Sequence, residues 1–258
     1  MISKFIFILI TLWVIGLSSQ TSYAQDDSER YQGYIVWEDA VLPSQVGNYE
    51  KATKMQKDLF SEQNFPQRVW IYTTSDFACY WVFEIDKYAD VDALYDEFRK
   101  IRKNAPEKSK EIEGVFEGTH ETTKAWTFFW DQELSFKPEM PETSSEEMNF
   151  RFWGFCHVEK GKMDDMKEVF KGWVDLASTN NLSQSWNTYI ADIGIETPML
   201  FWVSPGKDPV EFYSTNSKDM EILGDAGTNQ YMKQKDLMQR YEEKIGFYRP
   251  DLSYFPID

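Results

Sequence analysis

The sequence predicts an α+β protein made of two tandem copies of one βαββαβ unit. The strongest observation is a short phrase that occurs twice, as WDQELSFKP at residues 130–138 and as YRPDLSYFP at residues 248–256. Aromatic, acidic, Leu, Ser, aromatic and Pro positions recur in register, 118 residues apart. The order of strand-like and helix-like segments is also the same in the two halves. After the first 24 residues, the remaining 234 would make two domains of ordinary size.

The first 24 residues have the pattern of a signal peptide. Lys4 forms a short basic start, residues 5–17 are apolar, and Ser22-Tyr23-Ala24 places small residues before a cleavage point. The alternative is an uncleaved membrane anchor, but the apolar run covers 13 residues against the roughly 20 that a spanning helix needs. We therefore expect cleavage after Ala24 and export of a soluble chain, without a membrane anchor, to the periplasm or the extracellular space.

Charge and composition exclude several classes of protein. The net charge is -16, and removal of Lys4 makes it -17, which would repel nucleic acid and anionic lipid. A hydrophobic content of 42% with 17% aromatics is ample for a core and argues against disorder. The acidic residues are spread over helices and loops, and no metal-ligand spacing occurs, so we predict no metal site.

Two cysteines, Cys79 and Cys156, lie in apolar strand-like runs of different halves. An oxidising compartment would permit one disulfide between them. Two separate buried thiols are the more common arrangement for such residues. The sequence leaves both arrangements open.

The first copy (25–138) begins with a β-branched and aromatic run at 33–41, which predicts a strand. Apolar residues at three- and four-residue steps predict a helix over 44–64, ended by Pro66. Two further strand-like runs are separated by only three residues, which favours a hairpin. The remaining predicted elements are the strands at 68–74, 78–85 and 124–131, a helix that begins at Asp90, and a weak helical piece at 107–116.

A connection rich in Pro, Ser, Thr and Glu at 139–147 precedes the second copy (148–258). Three pairs of residues support the duplication: Trp70 with Trp186, Trp81 with Trp202, and Leu134 with Leu252. The predicted elements are strands at 148–158, 185–191 and 199–203, a helix from Met163, a helix-like region from Asp208, a helix at 229–245, and a last strand that begins at Phe247. The repeated phrase would end the fourth strand of each copy, at positions related by a pseudo-twofold axis.

The element order matches the ferredoxin-like plan. In this order and in its duplication, the chain resembles a tandem member of the dimeric α/β barrel superfamily, with its antibiotic-biosynthesis-monooxygenase-like and NIPSNAP-like domains. The resemblance covers nearly all of residues 33–258. It implies two four-stranded sheets that face each other with helices outside, so that one chain forms an intramolecular pseudo-dimer, alone or in a higher oligomer.

The strand at 148–158 fits that arrangement because neither of its faces is purely polar. One face carries Phe150, Phe152 and Cys156, and the other mixes Arg151, Trp153, Phe155 and His157 with Asn149. A sheet covered by helices on one side and by another sheet on the other buries both faces. We therefore predict that the mixed face lines the barrel interior.

Aromatic residues are dense enough on the predicted strands to line a pocket for a flat or apolar molecule. The alternative is that they only fill the space between the sheets. Polar groups that could orient a ligand include Asp39. The predicted pocket residues are Trp37, Glu38, Trp70, Tyr72, Trp153, Asn187 and Tyr189, and the candidate catalytic residues are His157 and Arg151.

The histidines give a weaker indication. His157 could act as an interior acid or base or, as the resemblance implies for some relatives, as a haem ligand, although a hydrogen-bonded core histidine is more common. His120, in a polar segment, is expected to be exposed.

These observations favour an exported small-molecule-binding or structural barrel with no cofactor. The alternative is an enzyme that uses the barrel interior, either a cofactor-independent monooxygenase or a haem-linked relative. No nucleophile elbow or phosphate-binding loop is found, so catalysis stays open.

Overall fold

The computed structural model describes residues 31–139 and 148–256. The predicted signal peptide at 1–24 and residues 140–147 of the predicted linker lie outside this range.

The first half follows the predicted element order closely. The helix Asp90–Asn104 has two acidic residues, Asp90 and Asp92, in its first turn and two basic residues, Arg102 and Lys103, in its last turn. These charges complement the helix dipole. The elements are β1 (Tyr31–Val41), α1 (Val46–Glu62), β2 (Trp70–Thr74), β3 (Ala78–Ile85), α2 (Asp90–Asn104), α3 (Pro106–Phe116) and β4 (His120–Phe136).

The second half repeats this order with one long helix in place of α2 and α3. This helix is capped by Asp208, whose side chain accepts a hydrogen bond from the Glu211 amide (2.9 Å), and it is kinked at Gly224. None of the described helices has the length and apolar character needed to cross a bilayer. The elements are β5 (Phe150–Val158), α4 (Met163–Asn180), β6 (Trp186–Ala191), β7 (Met199–Gly206), α5 (Pro209–Lys235) and β8 (Met238–Tyr248).

The eight strands form one closed antiparallel barrel in the order β1-β3-β2-β8-β5-β7-β6-β4. Within each half the order is the same, with the fourth strand beside the first, followed by the third and the second. The halves are joined where β8 pairs with β2 and β4 pairs with β6. The predicted fold class is therefore confirmed: the two βαββαβ repeats form an intramolecular dimeric α/β barrel.

Strand β5 shows how the two faces of the sheet are used. Trp153 and Phe155 belong to the aromatic cluster inside the barrel, as predicted for the mixed face. Phe150 and Phe152 pack instead against Phe212 of α5. Alternate residues therefore serve two different cores, one inside the barrel and one under the helices.

The two cysteines are both buried and are not bonded to each other. Cys79 lies in the helix-facing core of the first half, and Cys156 lies in that of the second half. The structure thus has two separate core thiols.

The repeated phrase makes the same hydrogen bonds in both halves. The Ser135 hydroxyl donates to the Asp131 carbonyl (2.7 Å) and accepts from the Thr188 amide of β6 (2.9 Å). The Ser253 hydroxyl donates to the Arg249 carbonyl (2.8 Å) and accepts from the Ile71 amide of β2 (2.9 Å). Next to these serines, Leu134 is 0% exposed and Leu252 is 2% exposed. The prediction that the phrases occupy equivalent positions is confirmed.

The phrase does not end a regular strand in the same way in both halves, however. The first copy covers the end of β4 and the two residues after it, and the pairing register shifts between Asp131 and Phe136. The second copy follows β8, which ends at Tyr248, and returns to the sheet through a single bridge between Val69 and Tyr254.

The last strand is the main error of the sequence prediction. The predicted helix at 229–245 stops at Lys235, and the strand predicted to begin at Phe247 runs from Met238 to Tyr248. Strand β8 pairs with β5 along its length and with β2 at its end. These ladders supply the backbone hydrogen bonds that a helix would otherwise provide, and tertiary pairing of this kind overrides local helix propensity.

One predicted pair of equivalent residues is also wrong by one position. The Ile71 amide donates to the Ser253 hydroxyl as the Thr188 amide donates to the Ser135 hydroxyl, so that Ile71 and Thr188 are equivalent. Trp70 therefore corresponds to Asn187 and not to Trp186. A shift of one residue moves a side chain to the other face of a strand. Trp70 accordingly lines the barrel interior, whereas Trp186 packs under the helices with Ala177 and Leu182.

We predict that Ser135→Ala and Ser253→Ala each lower the free energy of unfolding by about 1–3 kcal/mol, because each leaves a buried strand amide without its acceptor. Urea denaturation at constant pH would measure the effect. Ser217→Ala, at an exposed position of α5, is the control and should change the free energy by less than about 0.5 kcal/mol. A loss confined to one of the two phrase variants would contradict the equivalence of the phrases.

Candidate functional site

Within the described residues, three cavities have several aromatic strand side chains in their lining. The first-half cavity (about 940 Å³) lies between the first sheet and α1, α2 and α3. The barrel cavity (about 250 Å³) lies between the two sheets. The second-half cavity (about 270 Å³) lies between the second sheet and helices α4 and α5.

The first-half cavity is walled by aromatic and aliphatic side chains of both layers. Pro106, in the first turn of α3, separates this helix from α2, so two short helices cover this face instead of one long helix. The apolar lining consists of Trp37, Trp81 and Phe83 from the sheet, Leu59 and Phe60 from α1, Tyr95, Phe98 and Ile101 from α2, and Ile112 and Phe116 from α3.

A buried hydrogen-bond network lies at the sheet side of this cavity. Asp39, only 8% exposed, accepts hydrogen bonds from the hydroxyls of Tyr49 (2.5 Å) and Thr123. The Trp81 indole donates to the Tyr49 oxygen (2.7 Å). Burial, together with the nearby Cys79 and Asp39, raises the pKa of Tyr49 well above its usual value. Tyr49 therefore stays protonated and holds the carboxylate, while Asp39 and Thr123 face the cavity.

His120 adds an imidazole to the same wall. It is half-buried at the start of β4, its ring meets the Tyr49 ring edge-on (6.0 Å between centroids), and Nδ1 lies 3.2 Å from the Thr119 hydroxyl. The expectation of an exposed His120 is wrong because β4 begins at residue 120, not 124, and so carries this side chain against α1. The polar run from Glu121 to Lys124 conceals this extension in the sequence.

Asp39 and His120 give the first-half cavity its chemistry. A carboxylate and an imidazole in an apolar wall can accept hydrogen bonds from a bound molecule, and either group can accept a proton from it. One sequence signal identifies Asp39. It lies two residues after Trp37 in β1, so both side chains are on the helix-facing side of the strand.

Of the seven residues predicted to form the pocket, Trp70, Tyr72, Trp153, Asn187 and Tyr189 line the barrel cavity. Trp37 lies instead in the first-half cavity. Glu38 lies outside the lining of either cavity and is 3.7 Å from Lys244. Since Trp37 and Glu38 are consecutive in β1, they point to opposite faces of the sheet.

Arg151 and His157 do not form a joint site. Both are on the interior side of β5, but they are six residues apart, or roughly 20 Å along a strand. Arg151 donates to the carbonyls of Met148 and Phe150 and lies over the Tyr248 ring (5.7 Å). Neither side chain lines the barrel cavity.

His157 does not fit the role of a haem ligand. Arg240 Nη2 lies 3.3 Å from Nδ1 and 3.0 Å from Nε2, and Glu242 Oε1 lies 3.4 Å from Nε2. A haem ligand needs a ring nitrogen that is directed into a pocket large enough for the macrocycle. His157 lines none of the three cavities. Within 31–139 and 148–256, no group of three or more His, Cys, Asp or Glu side chains could hold a metal ion.

The second half has a cysteine at the position equivalent to Asp39, and the buried carboxylate that lines its cavity is Asp219 of α5. In the strand ladders, Trp37 is paired with Trp81 in the first half, and Gly154 is paired with Trp202 in the second half. Trp37 is therefore equivalent to Gly154, and Asp39, two residues further along, is equivalent to Cys156. The Cys156 sulfur contacts the Gln234 amide nitrogen (3.2 Å) and the Met238 sulfur (3.1 Å). A Cβ at Gly154 would collide with the Trp202 ring, which therefore takes the space that Trp37 fills in the first half.

Comparison with known proteins shows the fold of the chain. No family model matches the sequence, and no curated protein matches it either. Among solved structures, it resembles an anthrone oxidase-like protein with a TM-score of 0.59 and 9% identity, over 86% of this chain and 93% of that one. It also resembles a candidate monooxygenase from Fusobacterium nucleatum (TM-score 0.55, 13% identity, 85% and 93% covered). A third is a candidate monooxygenase from Lactobacillus acidophilus (TM-score 0.51, 6% identity, 89% and 100% covered).

We predict a loss of stability between about pH 10 and pH 12. An unfolded tyrosine ionises near pH 10, whereas burial raises the pKa of Tyr72 to about 12. In this window the unfolded chain has lost a proton that the folded chain keeps. The contribution of Tyr72 is therefore complete below pH 10 and falls by about 1.4 kcal/mol per pH unit above it.

Urea denaturation at pH 9, 10 and 11 would measure this dependence. Tyr72→Phe should reduce the slope by about one proton. Tyr213→Phe, which removes a side chain that is 47% exposed, should leave the slope unchanged. An unchanged slope in Tyr72→Phe would contradict the account.

Proposed function

We propose that the protein binds a planar aromatic molecule in the first-half cavity. The observation that carries this proposal is the position of Asp39 and His120 in the wall of a cavity that is otherwise mainly aromatic and aliphatic. A volume of about 940 Å³ is near the upper end of the roughly 300–1,000 Å³ typical of ligand sites. Apolar walls with a few converging polar groups are the usual design of such sites.

The polar groups would orient the ligand. Each oxygen of Asp39 accepts one hydrogen bond within the protein, and a carboxylate oxygen has room for a second. A ligand hydroxyl or N–H group could therefore donate to Asp39 while its rings pack on Trp37 and Trp81. Arg102 and Glu113, two largely exposed lining residues, form an ion pair (3.1 Å).

The proposal includes the place of action. The basic start, apolar run and small residues before position 25 support export of the mature chain to the periplasm or the extracellular space. Its proposed ligand is then a molecule available outside the cytoplasm. Mass spectrometry of the protein recovered from the exported fraction should give a chain that begins at Gln25, and a chain that retains Met1 would exclude this part of the proposal.

A second candidate function is cofactor-independent oxygenation in the same cavity. Its specific support is the placement of two groups able to accept a proton, Asp39 and His120, beside an aromatic wall. A base there would remove a proton from an activated CH₂ group of a substrate, and the resulting carbanion would reduce dioxygen. The balanced reaction converts CH₂ and O₂ into C=O and H₂O. The anthrone oxidase-like structural neighbour suggests anthrone, whose CH₂ group is activated in this way, as a probe.

For the binding function, we predict that Trp81→Leu weakens the binding of 2-naphthol by about five- to tenfold, because an aromatic wall is lost. Trp202→Leu is the matched control, since it removes the equivalent residue of the second half. Isothermal titration calorimetry would measure both affinities, with thermal melts to show that each variant is folded. Equal weakening in both variants, or weakening in Trp202→Leu alone, would place the ligand elsewhere.

For the oxygenase function, we predict the uptake of one O₂ per anthrone, measured with an oxygen electrode. Replacing the catalytic base should lower kcat by about 10² or more, because general bases contribute roughly 10²–10⁴. His120→Gln and Asp39→Asn test the two candidates, and His157→Gln is the control outside the cavity. A rate equal to that without protein would exclude this second function and leave the binding proposal to the naphthol titration.

A further inference from the structure

We propose that the barrel interior is a second binding site, which takes a small uncharged aromatic molecule carrying one acceptor oxygen. This site is separate from the first-half cavity, because the two sets of lining residues face opposite sides of the same strands. Val36 and Tyr80 line the barrel cavity, whereas their neighbours Trp37 and Trp81 line the other.

The donor for this ligand is the indole nitrogen of Trp126. This side chain is 5% exposed and lines the barrel cavity. Its Nε1 has no hydrogen-bond partner among the residues that the structure describes. Buried tryptophan N–H groups usually have a partner, and a buried donor without one is destabilising. An acceptor atom inside the cavity would remove this destabilisation.

The size and lining of the cavity define the rest of the ligand. Its volume is about 250 Å³, whereas an apolar cavity of about 150 Å³ accepts benzene. One substituted ring or two fused rings would therefore fit. Rings contributed by both halves form the wall, including Tyr34, Phe128, Trp153, Tyr189 and Phe201.

The charge of Lys244, close to the cavity, does not require an anionic ligand. Lys244 is the counterpart of Trp126 in the second half, and its ammonium donates to the Tyr80 hydroxyl (2.9 Å). The same ammonium lies 3.0 Å from Asp76 and 3.7 Å from Glu38, so that its charge is already compensated within the protein. An anionic ligand would bring an additional charge into an apolar space, which is strongly unfavourable without a new partner.

The cavity has an approach from solvent at one end. Asn187 is exposed, and Tyr34 and Trp70 are half-buried, although all three line the cavity. The Trp70 ring meets the Phe255 ring edge-on (6.1 Å) in the segment that follows β8. A ligand could enter past these side chains and reach Trp126 without opening the strand ladder.

The test uses 1-indanone and indane, which have the same two-ring frame and differ in the carbonyl. In the full-length mature protein, 1-indanone should shift the Trp126 indole N–H resonance in a ¹H–¹⁵N spectrum. Indane should bind about tenfold more weakly than 1-indanone, because it cannot accept a hydrogen bond from Trp126. Trp126→Phe should weaken the binding of 1-indanone by the same factor and leave the binding of indane unchanged. Val203→Phe, which fills the cavity, should abolish the binding of both probes.

Three results would overturn the proposal: a Trp126 resonance that does not move, equal affinities for the two probes, or a loss of 1-indanone binding in Trp81→Leu. The last result would place the probe in the first-half cavity. Because 2-naphthol binding is tested through Trp81 and 1-indanone binding through Trp126, failure of one proposal is distinguishable from failure of the other.

Discussion

The architecture depends on two strand pairings that cross between the halves of the chain, β8 with β2 and β4 with β6. A single four-stranded sheet would expose two edges, each with unpaired backbone groups open to aggregation. Closure pairs both edges and turns two sheets into one barrel. It also buries both faces of the strands, one against helices and one against the opposite sheet. The aromatic strands and all three cavities follow from this double burial.

Within this duplicated frame, the chemistry lies where the two copies differ. Asp39 in the first half corresponds to Cys156 in the second, and Trp126 corresponds to Lys244. Trp70 likewise corresponds to Asn187, so that an aromatic and a polar side chain occupy equivalent positions in the lining of the barrel cavity. The serines of the repeated phrase, Ser135 and Ser253, retain the same bonds in both halves. The duplication therefore maintains the fold at the phrase and leaves the cavity walls free to diverge.

The sequence predicted the features that depend on local pattern. The strand at 78–85, the helix start at Asp90 and the equivalence of the repeated phrase are all found in the structure. Most of the last strand was predicted as helix because Arg240, Glu242 and Lys244 occupy its interior side, so that hydrophobic alternation is weak and helix-favouring residues dominate. Its conformation depends on pairing with β5, which no local pattern records. Trp37 and Glu38 were predicted to line the same pocket, but they lie on opposite faces of the sheet. Strand periodicity places the two side chains on different faces, and it does not show which face packs against the helices.

The first-half cavity has a buried carboxylate and an imidazole in its aromatic wall, whereas the lining of the second-half cavity includes the buried Asp219 but no histidine; we propose that this difference decides where a ligand binds. A crystal structure of the mature protein soaked with 2-naphthol tests it most directly. Ring density is expected between Trp37 and Trp81, with the naphthol hydroxyl within hydrogen-bond distance of Asp39. Density only in the second-half cavity, between Trp202 and Trp186, would contradict it.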